Sequence, residues 1–121
     1  MPETTRHPWD AIIVGAGPAG CAAAYDLACA GRRVLLLDKS DFPRLKACAG
    51  GLTMKTVRNL RYSVDPVARQ VIYSVVLENN GTKRTLVKTR VICVMTVRSE
   101  FDAYCLARTL EVDASFRRVR G

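Results

Sequence analysis

The sequence has few of the residues from which metal sites and disulfide frameworks are built. Its only histidine is His7, and its five cysteines are odd in number and include no Cys-x-x-Cys pair. We therefore expect neither a zinc site nor a disulfide framework, and interpret the cysteines as reduced thiols of a cytosolic protein. Low-complexity segments and internal repeats of about 20–50 residues are also missing, which argues against solenoids and propellers.

Acidic residues are scarce relative to basic ones. The 121 residues include 11 Asp and Glu against 19 Lys and Arg, a formal charge of +8. The basic residues are scattered, however, and form neither a stripe interleaved with aromatic residues nor a known nucleic-acid motif. We interpret the excess as solvated surface and expect no nucleic-acid partner.

A long uninterrupted hydrophobic segment is missing as well. Residues 11–30 are apolar, but no basic segment precedes them, Asp26 interrupts them, and a Gly-Pro-Ala-Gly turn at residues 17–20 would break a spanning helix. They are therefore not expected to form a signal peptide or a membrane span. The overall composition, 49% hydrophobic and 25% charged, is that of a globular domain.

Residues 11–38 have the pattern of a strand, a helix and a second strand. Residues 11–14 and 34–37 are short apolar runs typical of strands buried on both faces. The alanine-rich segment 18–30 between them predicts a helix, with Pro18 in its first turn and Gly31 at its end. Two strands joined by one helix should be parallel.

The rest of the chain predicts a mixture of loop, hairpin and helix. Valine, isoleucine and threonine are frequent on both sides of Asn79-Asn80-Gly81, which indicates an antiparallel hairpin, and Ser99 to Asp102 have the spacing of a helix capping box. The expected elements are a long loop over 39–51, a helix over 53–60, hairpin strands over 70–77 and 85–97, a helix beginning at Ser99, and a strand over 114–119.

A dinucleotide-binding fingerprint lies between the first two predicted elements. Gly15-Ala16-Gly17-Pro18-Ala19-Gly20 fits G-x-G-x-x-G, and Asp38 follows 18 residues after the last glycine. Gly15 allows a tight turn, Gly17 lets backbone approach a pyrophosphate, and Gly20 lets helix pack on strand. Pro18 and Ala19 place the helix amino terminus toward the phosphates. Asp38 is the candidate acceptor for ribose hydroxyls, with a surface carboxylate as the alternative.

The fingerprint alone does not distinguish FAD from NAD or NADP. Arg32 and Arg33 precede the second strand, whereas an NADP 2′-phosphate should lie just beyond it. Lys39 is better placed and is kept as a cofactor-binding candidate, although it also fits a solvated lysine.

Two further segments resemble the geranylgeranyl reductase family of FAD-dependent oxidoreductases, within the flavoproteins similar to para-hydroxybenzoate hydroxylase. Arg98-Ser99-Glu100-Phe101-Asp102 is similar to its Arg-x-x-Phe-Asp signature. In the other matching segment, Ala49 stands at a position where family members often have glycine. The residues that match the family's Pro-Arg-x-Lys-x-Cys-x-Gly-Gly segment are Pro43, Arg44, Lys46, Cys48, Gly50 and Gly51.

The resemblance implies roles for five of these residues. Arg44 and Arg98 would lie near the dinucleotide and donate to phosphate or ribose oxygens, unless they are surface charges. Cys48 would lie near the flavin ring and orient substrate or relay a proton, unless it fills a small apolar space. Gly50 and Gly51 would let backbone pass close to the flavin. The other four cysteines are interpreted as packing residues.

The fold that the resemblance implies is an incomplete α/β, Rossmann-like FAD-binding domain, with a parallel sheet and an inserted antiparallel hairpin. Residues 1–121 would be the amino-terminal part of this FAD/NAD(P)-binding domain, without the substrate domain. The implied reaction is hydride transfer from reduced FAD to an isoprenoid (geranylgeranyl) double bond. The chain alone would be inactive. The alternatives are an FAD-dependent monooxygenase or halogenase, a non-catalytic dinucleotide-binding remnant, and a nicotinamide-binding module.

The same resemblance implies the partners. These are a small molecule with a prenyl chain and a reductant such as NAD(P)H or ferredoxin. A prenyl substrate also implies transient membrane contact, so we expect a cytoplasmic protein that is peripheral to the membrane at times.

Overall fold

The computed structural model describes residues 7–120, which belong to two compact units. The first contains the chain up to Arg44 and again from Asp102, and the second runs from Leu45 to Phe101. In chain order the elements are β1 (Ala11–Val14), α1 (Pro18–Cys29), β2 (Val34–Asp38), β3 (Gly51–Thr53), α2 (Met54–Asn59), a 3-10 helix (Asp65–Val67), β4 (Gln70–Ile72), β5 (Ser74–Asn79), β6 (Thr82–Val87), β7 (Cys93–Met95), α3 (Arg98–Glu111) and β8 (Ser115–Arg118).

The first unit contains the predicted parallel sheet. Its strand order is β1-β2-β8, and both pairings are parallel. In register, Ala11 lies opposite Val34, and Leu35 lies opposite Ser115. The three strands predicted near residues 11–14, 34–37 and 114–119 are therefore confirmed.

The prediction that β1 is buried on both faces was wrong for the described residues. Ile12 is 58% exposed and Val14 is 82% exposed, while Ala11 and Ile13 are half-buried. Strand β1 pairs with β2 on one side and forms an edge of this sheet. An alternating pattern therefore replaces the expected two-sided burial.

Helix α1 begins and ends close to the predicted residues. Pro18 is in its first turn, and Gly31, with φ of +78°, lies just beyond its last turn. The Thr109 hydroxyl of α3 donates to the Cys21 carbonyl at 3.2 Å and links the two helices. The buried apolar residues of this unit are Ala16, Cys21, Ala24, Val34, Leu35, Leu36, Cys105, Leu106 and Ala114.

Helix α3 begins one residue earlier than the capping-box spacing predicts. The Val97 carbonyl accepts from the backbone of Glu100 and Phe101 at 3.0 and 2.9 Å, and Ser99 lies within the first turn. The expected start of the helix at Ser99 was therefore wrong by one residue.

The predicted hairpin is present but interrupted. Strands β5 and β6 pair around Asn80 and Gly81, whose φ values of 48° and 79° suit a two-residue hairpin turn. Beyond Tyr73 the ladder breaks because residues 89–92 are extra on one side, and it resumes where β4 pairs with β7.

The second unit also has a strand that was predicted as loop and helix start. Strand β3 pairs antiparallel with β7, so β7 lies between β3 and β4 in a three-stranded sheet. The loop prediction holds for residues 39–50, and α2 is confirmed within the predicted 53–60. None of the helices within residues 7–120 has both the length and the apolar character needed to cross a bilayer.

Replacing Gly20 with alanine is expected to destabilise the first unit. The new Cβ would lie 1.8 Å from the Gly15 carbonyl oxygen, and backbone on both sides resists the shift. The free energy of unfolding in urea should fall by about 1–3 kcal/mol, the range typical of overpacking.

Gly17→Ala is the matched control for this substitution. At Gly17 the nearest atom to a new Cβ is the Arg44 side chain at 3.6 Å, an ordinary contact, so stability should stay within about 1 kcal/mol of the parent. Equal losses from the two variants would contradict close packing at Gly20.

Candidate active site: a dinucleotide cradle and a cysteine loop

The turn between β1 and α1 is open on the side where a ligand would approach. Gly15 has φ of +103°, and its N–H donates to the Leu37 carbonyl at 2.7 Å, which ties the turn to β2. Among residues 7–120, chain neighbours aside, no atom lies within 4 Å of a Cβ built on Gly15, and Arg44 alone lies that close to one on Gly17. Both positions therefore leave room for a group bound against the backbone.

The amino terminus of α1 is not neutralised by a side chain. Gly17 is its N-cap, no side chain in the described part of the chain caps it, and its first turn contains no acidic residue. First-turn N–H groups such as those of Ala19 and Gly20 have no partner one turn earlier in the helix. With the positive end of the helix dipole, they favour an anion such as a pyrophosphate.

Asp38 holds the glycine turn in place. Its Oδ2 accepts from the Ala16 N–H at 2.8 Å, and its Oδ1 accepts from the Ser40 N–H at 2.8 Å. Partial burial opposes ionisation, but these backbone donors and the nearby Arg44 charge outweigh it and hold the pKa of Asp38 below its usual 3.8. A carboxylate has about four lone-pair sites, so the two bonds leave capacity for ribose hydroxyls.

Arg44 lies beside this turn, held by two groups. Its Nη1 donates to Asp102 Oδ2 at 2.9 Å, and its guanidinium lies 4.8 Å from the centre of the Phe42 ring. Its Nη2 is the atom that a Cβ on Gly17 would meet. The side chain is 17% exposed, so Arg44 is not the surface charge offered as its alternative.

A cleft of about 380 Å³ lies at the carboxyl ends of the parallel strands. Its lining residues are Val14, Gly15, Asp38, Lys39 and Val119. Ligands of open parallel sheets bind outside this end of the strands. Lys39 is exposed there, as expected both of a cofactor-binding residue and of a solvated lysine.

The arginines before β2 lie at the other end of the strand. The Arg33 N–H donates to Asp10 Oδ2 at 2.7 Å, and its guanidinium pairs with the same carboxylate at 3.3 Å. Arg33 is therefore bonded near the start of β1, as expected for a residue excluded from a 2′-phosphate site.

A larger cleft of about 480 Å³ lies on the β5–β6 hairpin. Its lining residues are Leu77, Glu78, Asn79, Asn80, Thr82 and Arg84. None of them is a predicted site residue, and the glycine turn carries the stronger chemical argument.

In the second unit, Cys48 and Gly50 form a small turn. The Gly50 N–H donates to Cys48 Sγ at 3.4 Å, while the Gly50 carbonyl accepts from the Thr96 N–H at 2.9 Å and the Thr96 hydroxyl at 2.8 Å. Cys48 is exposed, so its alternative as a packing residue was wrong.

Gly50 and Gly51 differ in whether packing leaves room for a side chain. Gly50 has φ of +77°, and its Cβ would lie 1.9 Å from the Thr96 carbonyl, so packing within the unit already demands glycine there. Gly51 begins β3, and a Cβ would meet only the Met95 side chain, at 3.5 Å. Close approach of a flavin ring stays a prediction for both.

Arg98 is the first residue of α3 and is half-buried. It belongs to the second unit with Cys48, Gly50 and Gly51, whereas the glycine turn, Lys39 and Arg44 belong to the first. The structure thus brings the site residues together in two groups.

The other four cysteines differ in burial, and within residues 7–120 no cysteine forms a disulfide. Cys21 and Cys105 are fully buried, as expected of packing residues, and burial raises the pKa of the Cys21 thiol to about 12. Cys93 is half-buried. Cys29 is exposed at the end of α1, so its interpretation as a packing residue was wrong.

Two residues that hold the site were missed as site residues in the sequence. Asp102 and Thr96 both have buried side chains that bond to residues of the site. Asp102 shares the buried face of α3 with Cys105, Leu106 and Thr109, and this helical spacing of small and apolar residues was visible in the sequence. No sequence pattern pointed to Thr96.

Comparison with known proteins gives a family match. Residues 10–108 match the family described as FAD dependent oxidoreductase. An uncharacterised protein of Methanosarcina barkeri is 37% identical over 118 residues, covering 89% of this chain and 28% of that protein.

Two named reductases are similar over a shorter stretch. The menaquinone reductase of Mycolicibacterium smegmatis is 54% identical over 52 residues, covering 43% of this chain and 13% of that protein. The geranylgeranyl diphosphate reductase of Rhodobacter capsulatus is 45% identical over 51 residues, covering 42% and 12%. The chain thus spans less than a third of the length of each of these three relatives.

Solved structures share the fold at low identity. A geranylgeranyl bacteriochlorophyll reductase-like protein of Thermoplasma acidophilum has a TM-score of 0.75 at 19% identity, with 89% of this chain and 29% of that one covered. The flavin-dependent brominase Bmp2 has a TM-score of 0.74 at 21% identity, with 91% and 29% covered. The predicted Rossmann-like FAD-binding fold is thereby confirmed.

Gly17→Ala is expected to weaken FAD binding without unfolding the chain. The new methyl group would occupy the open side of the turn, where the backbone should approach the pyrophosphate. Fluorescence titration should give a dissociation constant for FAD at least about tenfold higher, an energy of about 1.4 kcal/mol. Unchanged affinity in a folded Gly17→Ala chain would exclude the turn as the pyrophosphate site.

Stability is expected to depend on pH through Asp38. Because its pKa in the folded chain lies below the usual 3.8, its ionised form stabilises the fold above that value, and this contribution disappears as pH falls through the lowered pKa. In urea unfolding, the advantage of the parent over Asp38→Asn should be constant above about pH 5 and shrink below it. An advantage that persists unchanged at pH 2.5 would contradict this.

Proposed function

Because the chain belongs to the FAD-dependent oxidoreductase family, we propose that it forms the adenosine-binding end of an enzyme that reduces isoprenoid carbon–carbon double bonds. The observation that carries the proposal is the segment from Pro43 to Gly51, which has the geranylgeranyl reductase pattern. The names of two relatives support it, since geranylgeranyl diphosphate and menaquinone both contain an isoprenoid chain.

The first unit would bind the dinucleotide. The backbone of Gly15, Gly17 and the first turn of α1, with Pro18, Ala19 and Gly20, would hold the pyrophosphate. Asp38 would accept from ribose, and Lys39 and Arg44 would add positive charge. The open glycine turn and the uncapped helix amino terminus fit such a group.

The second unit would contribute to the reaction. FAD, when bound and reduced, supplies a hydride for the double bond. The exposed thiol of Cys48 would orient the substrate or relay a proton, because a thiol both accepts and donates weakly. Gly50 and Gly51 would pass beside the flavin, and Arg98 would donate to the dinucleotide.

The proposal includes an electron donor and a cellular location. NAD(P)H or ferredoxin would supply electrons to the flavin, and a prenyl substrate would bring a cytoplasmic enzyme into transient contact with the membrane surface. A lipid-synthesis role follows from the same substrate.

A flavin-dependent monooxygenase or halogenase is the alternative reaction, since the brominase shares the fold. A shared fold at this identity does not select a chemistry. A non-catalytic dinucleotide-binding remnant is the third possibility. The three differ in product, so one experiment separates them.

The test uses the polypeptide isolated from its native cells with an antibody against this chain. After anaerobic reduction of its flavin with dithionite, geranylgeranyl diphosphate should gain about 2 Da per saturated double bond, the mass of a hydride and a proton. A hydroxylated or brominated product formed in air would support the alternative. A native polypeptide that retains no flavin would support the remnant.

Cys48→Ser and Cys29→Ser form a matched pair within this test, because both thiols are exposed. Cys48→Ser should lower the rate of reduction by about 10²-fold, as loss of a proton-transfer group does. Cys29→Ser should leave it unchanged. Equal rates would remove Cys48 from the reaction while leaving the reductase assignment intact.

A further inference from the structure

We infer that Asp102 is a positioning residue that holds the Arg44 guanidinium in place for the diphosphate of a bound dinucleotide. The inference rests on the proposed dinucleotide site. Asp102 bonds to Nη1 of Arg44 and belongs to α3, a helix that begins more than fifty residues later in the chain.

Asp102 is buried and lies within hydrogen-bond distance of Arg44. Its side chain is fully buried, and its Oδ2 accepts from Arg44 Nη1 at 2.9 Å, while Arg44 itself is 17% exposed. A buried carboxylate must be paired to be tolerated. The pair therefore fixes one amino group of Arg44 toward the interior.

The other amino group faces the glycine turn. A Cβ built on Gly17 meets Arg44 Nη2 at 3.6 Å as its nearest atom. The planar guanidinium presents its donors in a rigid fork, so holding Nη1 on Asp102 also fixes the direction in which Nη2 points. The arrangement suits a phosphate oxygen bound over Gly17.

Aromatic residues fix the plane of the same group. The Arg44 guanidinium lies over Phe42 at 4.8 Å, and the Phe42 ring packs edge-on against Phe116 of β8, with centroids 6.0 Å apart at 84°. Arg44 is thus held from α3 and from β8 before any ligand binds. Such preorganisation removes the entropy of fixing a long side chain on binding.

Removing the negative charge of Asp102 and removing its hydrogen-bond acceptor should change the affinity for an anion in opposite directions. Asp102 is negative, so its charge alone should weaken binding of an anion to Arg44. If positioning dominates, removing the acceptor should weaken binding instead. The two effects are separated by Asp102→Asn, which retains an amide oxygen as acceptor, and Asp102→Ala, which does not.

The test measures ADP and adenosine binding to the complete chain by titration, with urea unfolding to verify that each variant is folded. Asp102→Ala should weaken ADP binding about tenfold and leave adenosine, which has no phosphate, unchanged. Asp102→Asn should restore most of the ADP affinity. ADP affinity equal to or above the parent's in Asp102→Ala would overturn the inference.

A double-mutant cycle distinguishes positioning from a general structural role. In an Arg44→Met chain, adding Asp102→Ala should cause no further loss of ADP affinity, because the residue acts through Arg44. Losses that simply add would overturn the inference. A parent chain that binds neither ADP nor FAD would reject the dinucleotide site itself, and the inference with it, whereas parent binding without an Asp102 effect rejects the inference alone.

Discussion

The close packing between the start of α1 and the end of β1 is the constraint on which the site depends. At Gly20 there is no room for a Cβ, since it would lie 1.8 Å from the Gly15 carbonyl. This contact sets where the helix begins, and the helix amino terminus then faces the open side of Gly17. Strand β2 supplies both the Leu37 carbonyl and the Asp38 carboxylate to the turn. The geometry of the glycine turn therefore depends on the pairing of β1 with β2.

Arg44 extends this structure beyond the fingerprint. The fingerprint supplies backbone donors and a partial charge, which any dinucleotide fold offers. Arg44 adds a full positive charge, which its contacts with Asp102 and Phe42 hold at a defined position. Asp102 comes from a distant part of the chain, so the position of Arg44 depends on α3 as well as on the segment that follows β2.

Local patterns in the sequence predicted much of this and missed what depends on distant contacts. The parallel strands, α1 and the Asn80-Gly81 turn follow from apolar runs and turn residues, which act over a few residues. Strand β3 was missed because three residues beside β7 carry almost no periodicity. Helix α3 begins before Ser99 because the Val97 carbonyl accepts from its first turn, and the pairing of Asp102 with a residue 58 positions away is a contact that local patterns do not reveal.

Binding and reaction depend on different parts of the chain, which explains why the family is better defined than the substrate. Dinucleotide-binding folds use backbone groups of such a glycine turn, and proteins as different as a reductase-like protein and a brominase share the fold of this chain. The reaction depends on side chains beside the reacting carbon, and in this chain the candidate is the exposed Cys48 in the loop after Arg44. A fold accommodates many chemistries by varying such loops. The loop that carries the geranylgeranyl reductase pattern is therefore also the segment on which the choice between saturating a double bond and activating oxygen should depend.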